Sequence, residues 1–159
     1  MIQRIIGIDP GYDRLGIAII EKMPKGKELV LYSECFQTPA KDSIYERFGK
    51  IAVEIGRVLD AFKPTVLAIE TLFITKNQKT AMRVAEARGI VLSEAIKRNI
   101  VIYEYTPMQI KMAVTSDGKS DKERVIKMVH LLVSLPDKKT VDDEYDAIAV
   151  ALTHSACSR

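Results

Sequence analysis

An apolar run that ends on a carboxylate and turns at once, Ile5-Ile6-Gly7-Ile8-Asp9-Pro10-Gly11, constrains this chain more than any other stretch. β-Branched residues favour a buried strand, and Pro-Gly is a strong turn signal. Asp9 therefore falls on the last position of a strand, where its side chain can leave the sheet. Val66-Leu67-Ala68-Ile69-Glu70 repeats the pattern. Near the C-terminus Asp143 and Asp146 precede an apolar helical run. Three separate acid sites, two on strand ends and one at a helix start, can converge on one place.

The rest of the chain supplies a frame for that convergence. Residues 15–20 predict a second strand, 24–27 a turn, and 28–36 a third strand, so the first three strands form an antiparallel meander. The period then changes. Ile44, Phe48, Ile51, Ile55, Val58, Leu59 and Phe62 recur every three or four residues and predict an amphipathic helix over 43–62, stopped by Lys63-Pro64. Residues 65–70 predict a strand, and a strand reached through a helix implies a parallel crossover. A second helix is expected over 79–98, with Ala81, Val84, Ala85, Val91, Leu92, Ala95 and Ile96 inward, followed by a strand over 100–105. Thr106-Pro107 supplies a helix cap and first position for a helix over 107–115. Ser120-Asp121-Lys122-Glu123 matches a capping box, opening a helix that ends at Leu135-Pro136. A last helix is expected over 142–155. The order β-β-β-α-β-α-β-α-α-α predicts one α/β domain over 1–159, a mixed five-stranded sheet with helices on both faces.

Composition narrows the class. No apolar run approaches the about 20 residues of a membrane span. The start lacks a basic region followed by a signal-type apolar segment, so a cytoplasmic protein is expected. Cys35 and Cys157 match no zinc spacing and are expected as free thiols. The net charge is only +3, which does not by itself announce nucleic acid. The distribution says more. Lys76, Lys79, Arg83 and Arg88 form one basic segment, Lys119, Lys122, Arg124 and Lys127 another, and Asp142-Asp143-Glu144 is acidic. Segregated charge suits basic flanks holding phosphates around an acidic metal site, although ordinary solvated helix faces give the same pattern.

Asp143 and Asp146 share a helical face. Acids are common in a first helical turn, and that accounts equally well for Asp142, Asp143 and Glu144. Asp146 is different, because Ala147-Ile148-Ala149-Val150-Ala151-Leu152 follows it. A carboxylate beside the packed part of a helix is unfavourable unless paired or metal-bound. Asp9, Glu70 and Asp146 together supply the oxygen-only donors of a two-cation site, which favours Mg²⁺ or Mn²⁺ over zinc. A divalent-metal nuclease needs this arrangement. A phosphate hairpin of the sugar-kinase and actin-like type also begins with such a motif, but needs a second lobe that a chain of 159 residues has no room for. His130 and His154 read as packing or surface residues, His154 lying about two turns beyond Asp146.

The sequence resembles the RuvC-type Holliday-junction resolvases, of the RNase H-like nuclease class, from Ile5 to His154. The resemblance rests on Gly7-Ile8-Asp9-Pro10-Gly11, Ala68-Ile69-Glu70 with Phe73, Lys76-Asn77, Ala87-Arg88-Gly89, Glu104-Tyr105 with Gln109 and Lys111, and Asp143 with Asp146 through His154. It implies an RNase H-like fold, with Asp9, Glu70, Asp143 and Asp146 as metal-binding catalytic residues and two Mg²⁺ ions per site, replaceable by Mn²⁺. It implies that Phe73 stacks on a base near the junction centre and that Lys111 lies near the cleaved strand. Lys76, Asn77, Lys79, Arg83, Lys119 and Lys122 are expected on DNA. The family's second functional lysine falls on Lys122, with Lys119 close by in Ser116-Asp117-Gly118-Lys119-Ser120-Asp121-Lys122.

The activity so implied is paired, symmetric nicking of four-way DNA junctions in recombination and repair, by a homodimer working with a branch-migration motor. The helix at 79–98 is the candidate dimer contact. An RNase H-like nuclease of ribosomal RNA maturation shares the first motif and the late Asp, but is not expected to carry Phe73-Ile74-Thr75-Lys76-Asn77. A junction-binding scaffold without catalysis would have no need of all four acids.

Overall fold

A computed structural model describes residues 3–72 and 78–158. The strands are β1 (Arg4–Asp9), β2 (Arg14–Glu21), β3 (Glu28–Gln37), β4 (Val66–Glu70), β5 (Val101–Tyr105) and β6 (Val133–Ser134). The helices are α1 (Ile44–Phe62), α2 (Gln78–Ile96), α3 (Pro107–Thr115), α4 (Lys122–Leu132) and α5 (Asp142–Cys157). The sheet order is β5-β4-β1-β2-β3-β6. The meander is antiparallel, and β4 and β5 join β1 in parallel through the α1 and α2 crossovers. The mixed sheet read from the periodicity is therefore present, with one addition. The fourth helix stops at Leu132, and Val133–Ser134 pair in parallel with Glu28 and Leu29 of β3. Pro136 disfavours helical geometry at Leu135, and buried β-branched Val133 docks on the sheet edge instead.

Strand alternation sorts the core into two layers. Ile6, Ile8, Leu67 and Ile69 face α1 and α2, together with Ile51, Ile55, Val91 and Ala95. Ile5, Ala18, Ile20, Val66 and Ala68 face α3, α4 and α5. The second set has period two through Ile5-Gly7-Asp9 and Val66-Ala68-Glu70. Both strand-end acids thus point to the side that carries α5.

Helix α5 lies close against the sheet because two glycines permit it. A methyl group added at Gly7 would overlap the Ala147 carbonyl oxygen and stand 2.8 Å from Ala151 Cβ. One added at Gly16 would overlap the Asp143 carbonyl oxygen and stand 2.9 Å from Asp9 Cβ. Gly7 pairs with Ala18 and Asp9 with Gly16 across β1 and β2, so the two glycines are diagonal neighbours. Successive turns of α5, at residues 143 and 147, rest on them. Residues 147–155 are buried almost without a break, since α5 is covered by the sheet beneath and by α3 and α4 above.

Two local expectations are corrected. The inward stripe of α2 is Ala87, Val91 and Ala95, whereas Ala85 and Ile96 are exposed. Next to this stripe, Arg88 pairs with Glu104 of β5 at 2.6 Å. Weak amphipathicity among many small residues left the face ambiguous. The α4 cap is Asp121, which accepts the Arg124 N–H at 2.8 Å. Ser120 is buried, its hydroxyl 2.5 Å from that of Thr115, closing the turn between α3 and α4. By contrast Thr106 caps α3 as read, with Gln109 returning the bond.

Substituting Gly7→Ala should lower stability by about 1–3 kcal/mol, because the contact is with helix backbone that cannot rotate away. Gly49→Ala on α1, where an added methyl meets nothing within 4 Å, should raise it by about 0.5–1 kcal/mol. Urea unfolding of both variants measures the contrast.

Candidate active site

The site is built where β1, β4 and α5 end on the same side. Asp9 closes β1, Glu70 closes β4, and the β1–β4 pairing ends at Ile8 with Ile69, one residue before both acids. Thr71 N–H donates to the Tyr105 carbonyl at 2.9 Å and turns the chain off the sheet just after Glu70. Asp143 and Asp146 come down from the first turns of α5, seated over Gly16 and Gly7.

Two adjoining clefts share Glu70 and Pro107. One, about 300 Å³, is lined by Glu70, Lys111, Lys122 and Asp146, with Ile110, Val125 and Val150 as its apolar wall. The other, about 270 Å³, is lined by Asp9, Pro10, Glu70, Thr71 and Leu72. Three of the four expected acids and both lysines line these clefts, and Asp143 stands close enough to act on Asp9.

The carboxylates oppose one another. Burial pushes the Asp9 carboxyl up to about 8, reinforced by Asp146, Glu70 and Asp143. Burial also raises Glu70, Asp146 adds to it, and Lys111 offsets part. Asp146 is raised by burial against the pull of Lys122. Asp143 alone goes below its ordinary value, because Arg14 overcomes its partial burial. Lys122 Nζ lies 3.1 Å from Asp146 and 3.4 Å from Asp142. Arg14 binds Asp143 at 2.5 Å.

Among the described residues no three acids, thiols or imidazoles close into a ready metal cage. Arg14 and Lys122 stand as ion-pair partners of Asp143 and Asp146 there. The donor chemistry nevertheless fits a hard divalent cation: four carboxylates, no nitrogen or sulfur ligand among them, and charges that destabilise one another until neutralised. The Thr71 hydroxyl oxygen, on the cleft wall, is buried without a hydrogen-bond partner.

The basic residues divide. Lys122, not Lys119, reaches the acids; Lys119 is exposed, and its backbone N–H donates to Asp117. Lys79 is exposed in the first turn of α2, and Arg83 is paired with Glu86 at 2.8 Å. Phe73, Lys76 and Asn77 lie outside the described residues. The histidines are structural: His154 is buried with Nδ1 2.8 Å from the Tyr105 hydroxyl, and His130 Nε2 is 2.9 Å from that of Tyr145.

Several contributors were not legible. Glu144, read as N-terminal helix decoration, is 4% exposed. It accepts from Ser33 Oγ at 2.7 Å and from the Val141 N–H at 3.0 Å, and pairs with Lys138. This network ties the start of α5 to β3 and so supports Asp143. Arg14 had one available signal: it lies two residues before Gly16 and so on the same strand face.

Comparison with known proteins decides the family. Residues 5–154 match the family described as Crossover junction endodeoxyribonuclease RuvC. The chain belongs to the RuvC family. It is 40% identical over 150 residues to the RuvC of Petrotoga mobilis, covering 94% of this chain and 91% of that one. It is 43% identical over 149 residues to the RuvC of Thermosipho melanesiensis, covering 93% of this chain and 94% of the relative. A solved structure described as Thermus thermophilus RuvC in complex with a Holliday junction substrate superposes with a TM-score of 0.91. The identity there is 33%, over 99% of this chain and 95% of that chain. The architecture is RNase H-like, as the resemblance implied. Among the described residues no helix is long and apolar enough to cross a membrane.

The raised Asp9 pKa has a testable sign. In chelated protein the folded state holds a proton on Asp9 between 3.8 and about 8, where the unfolded chain does not. That contribution is full at low pH and is lost as pH rises through about 8. The Tm in EDTA should fall from about pH 5.5 to about 8.5, Asp9→Asn should flatten the slope, and Mg²⁺ should restore Tm at the alkaline end.

Proposed function

We propose that this chain, as one RNase H-like nuclease domain over 1–159, resolves four-way DNA junctions by paired symmetric nicks, hydrolysing phosphodiesters to 5′-phosphate and 3′-hydroxyl ends. The observation that carries this is the meeting of Asp9, Glu70, Asp143 and Asp146 at one sheet edge beside Lys111 and Lys122, in a member of the RuvC family. The four carboxylates would hold two Mg²⁺ ions, or Mn²⁺ in their place. Bound there, the cations supply charge neutralisation at the attacking and leaving oxygens of an in-line displacement.

The chain's own residues do the rest. Asp9 and Glu70 stand on strand ends fixed by sheet pairing, and Asp143 and Asp146 on a helix that the glycines seat. Such rigid placement holds reacting groups without reorganisation. Lys111, in the cleft wall near Glu70, stabilises charge developing on the phosphoryl group. Lys122 neutralises Asp146 until DNA and metal arrive. Phe73 stacks on a base near the junction centre, worth about 1–3 kcal/mol. Lys76, Asn77, Lys79, Arg83, Lys119 and Lys122 hold the backbone.

Two symmetric cuts require two sites, so the working form is a homodimer. Its contact is the outward face of α2. Met82 and Ile96 are 65% and 63% exposed there, and Ala85, Gly89 and Ser93 between them keep the surface low. A branch-migration motor is the expected companion, and free Cys35 and Cys157 suit a reducing cytoplasm.

The deciding assay offers a synthetic four-way junction, a linear duplex and a structured RNA, each with and without Mg²⁺. Only the junction should be cut, and only with metal. Preferred RNA cleavage would point to ribosomal RNA maturation, and junction binding without cleavage to a scaffold. Asp146→Asn should slow cleavage by more than about a hundredfold, since even a partner that only supports a ligand is worth about 10–100-fold.

Binding without metal should weaken steeply with salt. The basic side chains Lys76, Lys79, Arg83, Lys119 and Lys122 set a log–log slope of about −4 to −5, and Lys79→Ala should reduce it by about 1.

A further inference from the structure

We propose that Arg14 is a positioning residue of the metal site: it grips one oxygen of Asp143 and so presents the other to a divalent cation. The inference rests on the reading of the four carboxylates as metal ligands.

The placement follows from strand alternation. Arg14, Gly16, Ala18 and Ile20 share the β2 face that carries α5; Ala18 and Ile20 are buried in that layer, and Gly16 bears the Asp143 carbonyl. Arg14 therefore emerges beneath the first turn of α5. Its Nε donates to Asp143 Oδ2 at 3.0 Å and its Nη2 to the same oxygen at 2.5 Å. Neither bond involves Oδ1. Two donors of a planar guanidinium converging on one oxygen hold it, and with it the carboxylate's rotation, more firmly than a single ammonium contact does. Among the described residues Asp146 has such a single contact, from Lys122 at 3.1 Å. Cys35, the cross-strand partner of Gly16, flanks the pair.

The alternative role is competition, in which a guanidinium seated on a ligand repels an arriving cation. Two features oppose it. Both bonds fall on one oxygen, leaving Oδ1 free of the guanidinium. The Arg14 side chain is also 49% exposed, so water and salt screen its charge. That exposure equally makes the pair a minor contributor to folding. Ligating carboxylates are commonly held by such outer partners, whose removal weakens metal binding about 10–100-fold.

The test is Mn²⁺ binding by the full chain without DNA, followed by the electron paramagnetic resonance signal of the free ion. Wild type, Arg14→Met, Arg14→Lys and Asp143→Asn are compared, with Tm in EDTA measured for each. Arg14→Met should weaken Mn²⁺ binding about 10–100-fold at nearly unchanged Tm. Arg14→Lys, which keeps the charge and one bond but loses the fork, should fall between it and wild type. Unchanged or tighter binding by Arg14→Met would overturn the assignment while leaving the carboxylate site intact. Full rescue by Arg14→Lys would overturn the orienting role in favour of charge alone. Failure of the wild type to bind Mn²⁺ would remove the carboxylate reading and this inference together.

Discussion

The contact between α5 and the β1–β2 hairpin is the constraint on which the rest of the molecule depends. A helix normally stands off a sheet by the length of the intervening side chains. Here Gly7 and Gly16 remove those side chains, and the carbonyls of Ala147 and Asp143 settle into the space. The same approach buries residues 147–155 and carries Asp143 and Asp146 to the end of β1, where Asp9 stands. Packing and chemistry are therefore one decision. Nothing that loosens the helix can leave the acid cluster in place.

That cluster works against the fold locally. Asp9 is driven up to about 8 by burial and by three neighbouring acids. Such opposition is tolerated because the surrounding structure over-determines it: sheet pairing on two sides, the buried Glu144–Ser33–Lys138 network at the root of α5, and Arg14 and Lys122 as resident cations. The oxygen-only donor set suits a site completed by a hard cation. The apolar wall of Ile110, Val125 and Val150 gives the larger cleft a shape that a flat acidic patch lacks.

Much of this was legible in the sequence, for identifiable reasons. Strands ending in Asp9 and Glu70 were visible because apolar runs stop at a polar residue followed by a turn. Asp146 stood out because it precedes six apolar residues. Thr106-Pro107 marked its helix because cap chemistry is local. The failures were also physical. The face of α2 was settled by packing of Ala87, Val91 and Ala95 against the sheet, which a helix with small residues all round does not announce. Ser120 looked like a cap until its hydroxyl was claimed by Thr115. The strand pair at Val133 existed only once β3 offered an edge.

Sequence alone determined the alternation of the main elements and the family, because those depend on period, turn chemistry and residue order along one dimension. Tertiary structure decided which side chains meet: that Lys122 rather than Lys119 reaches Asp146, and that Arg14, and Glu144 beyond its reading as helix-start decoration, hold the start of α5. Those pairings join residues separated by 24, 129 and 111 positions. The reason is geometric. A side chain's partner is fixed by which surfaces come into contact, and here two missing β-carbons brought α5 down onto the hairpin.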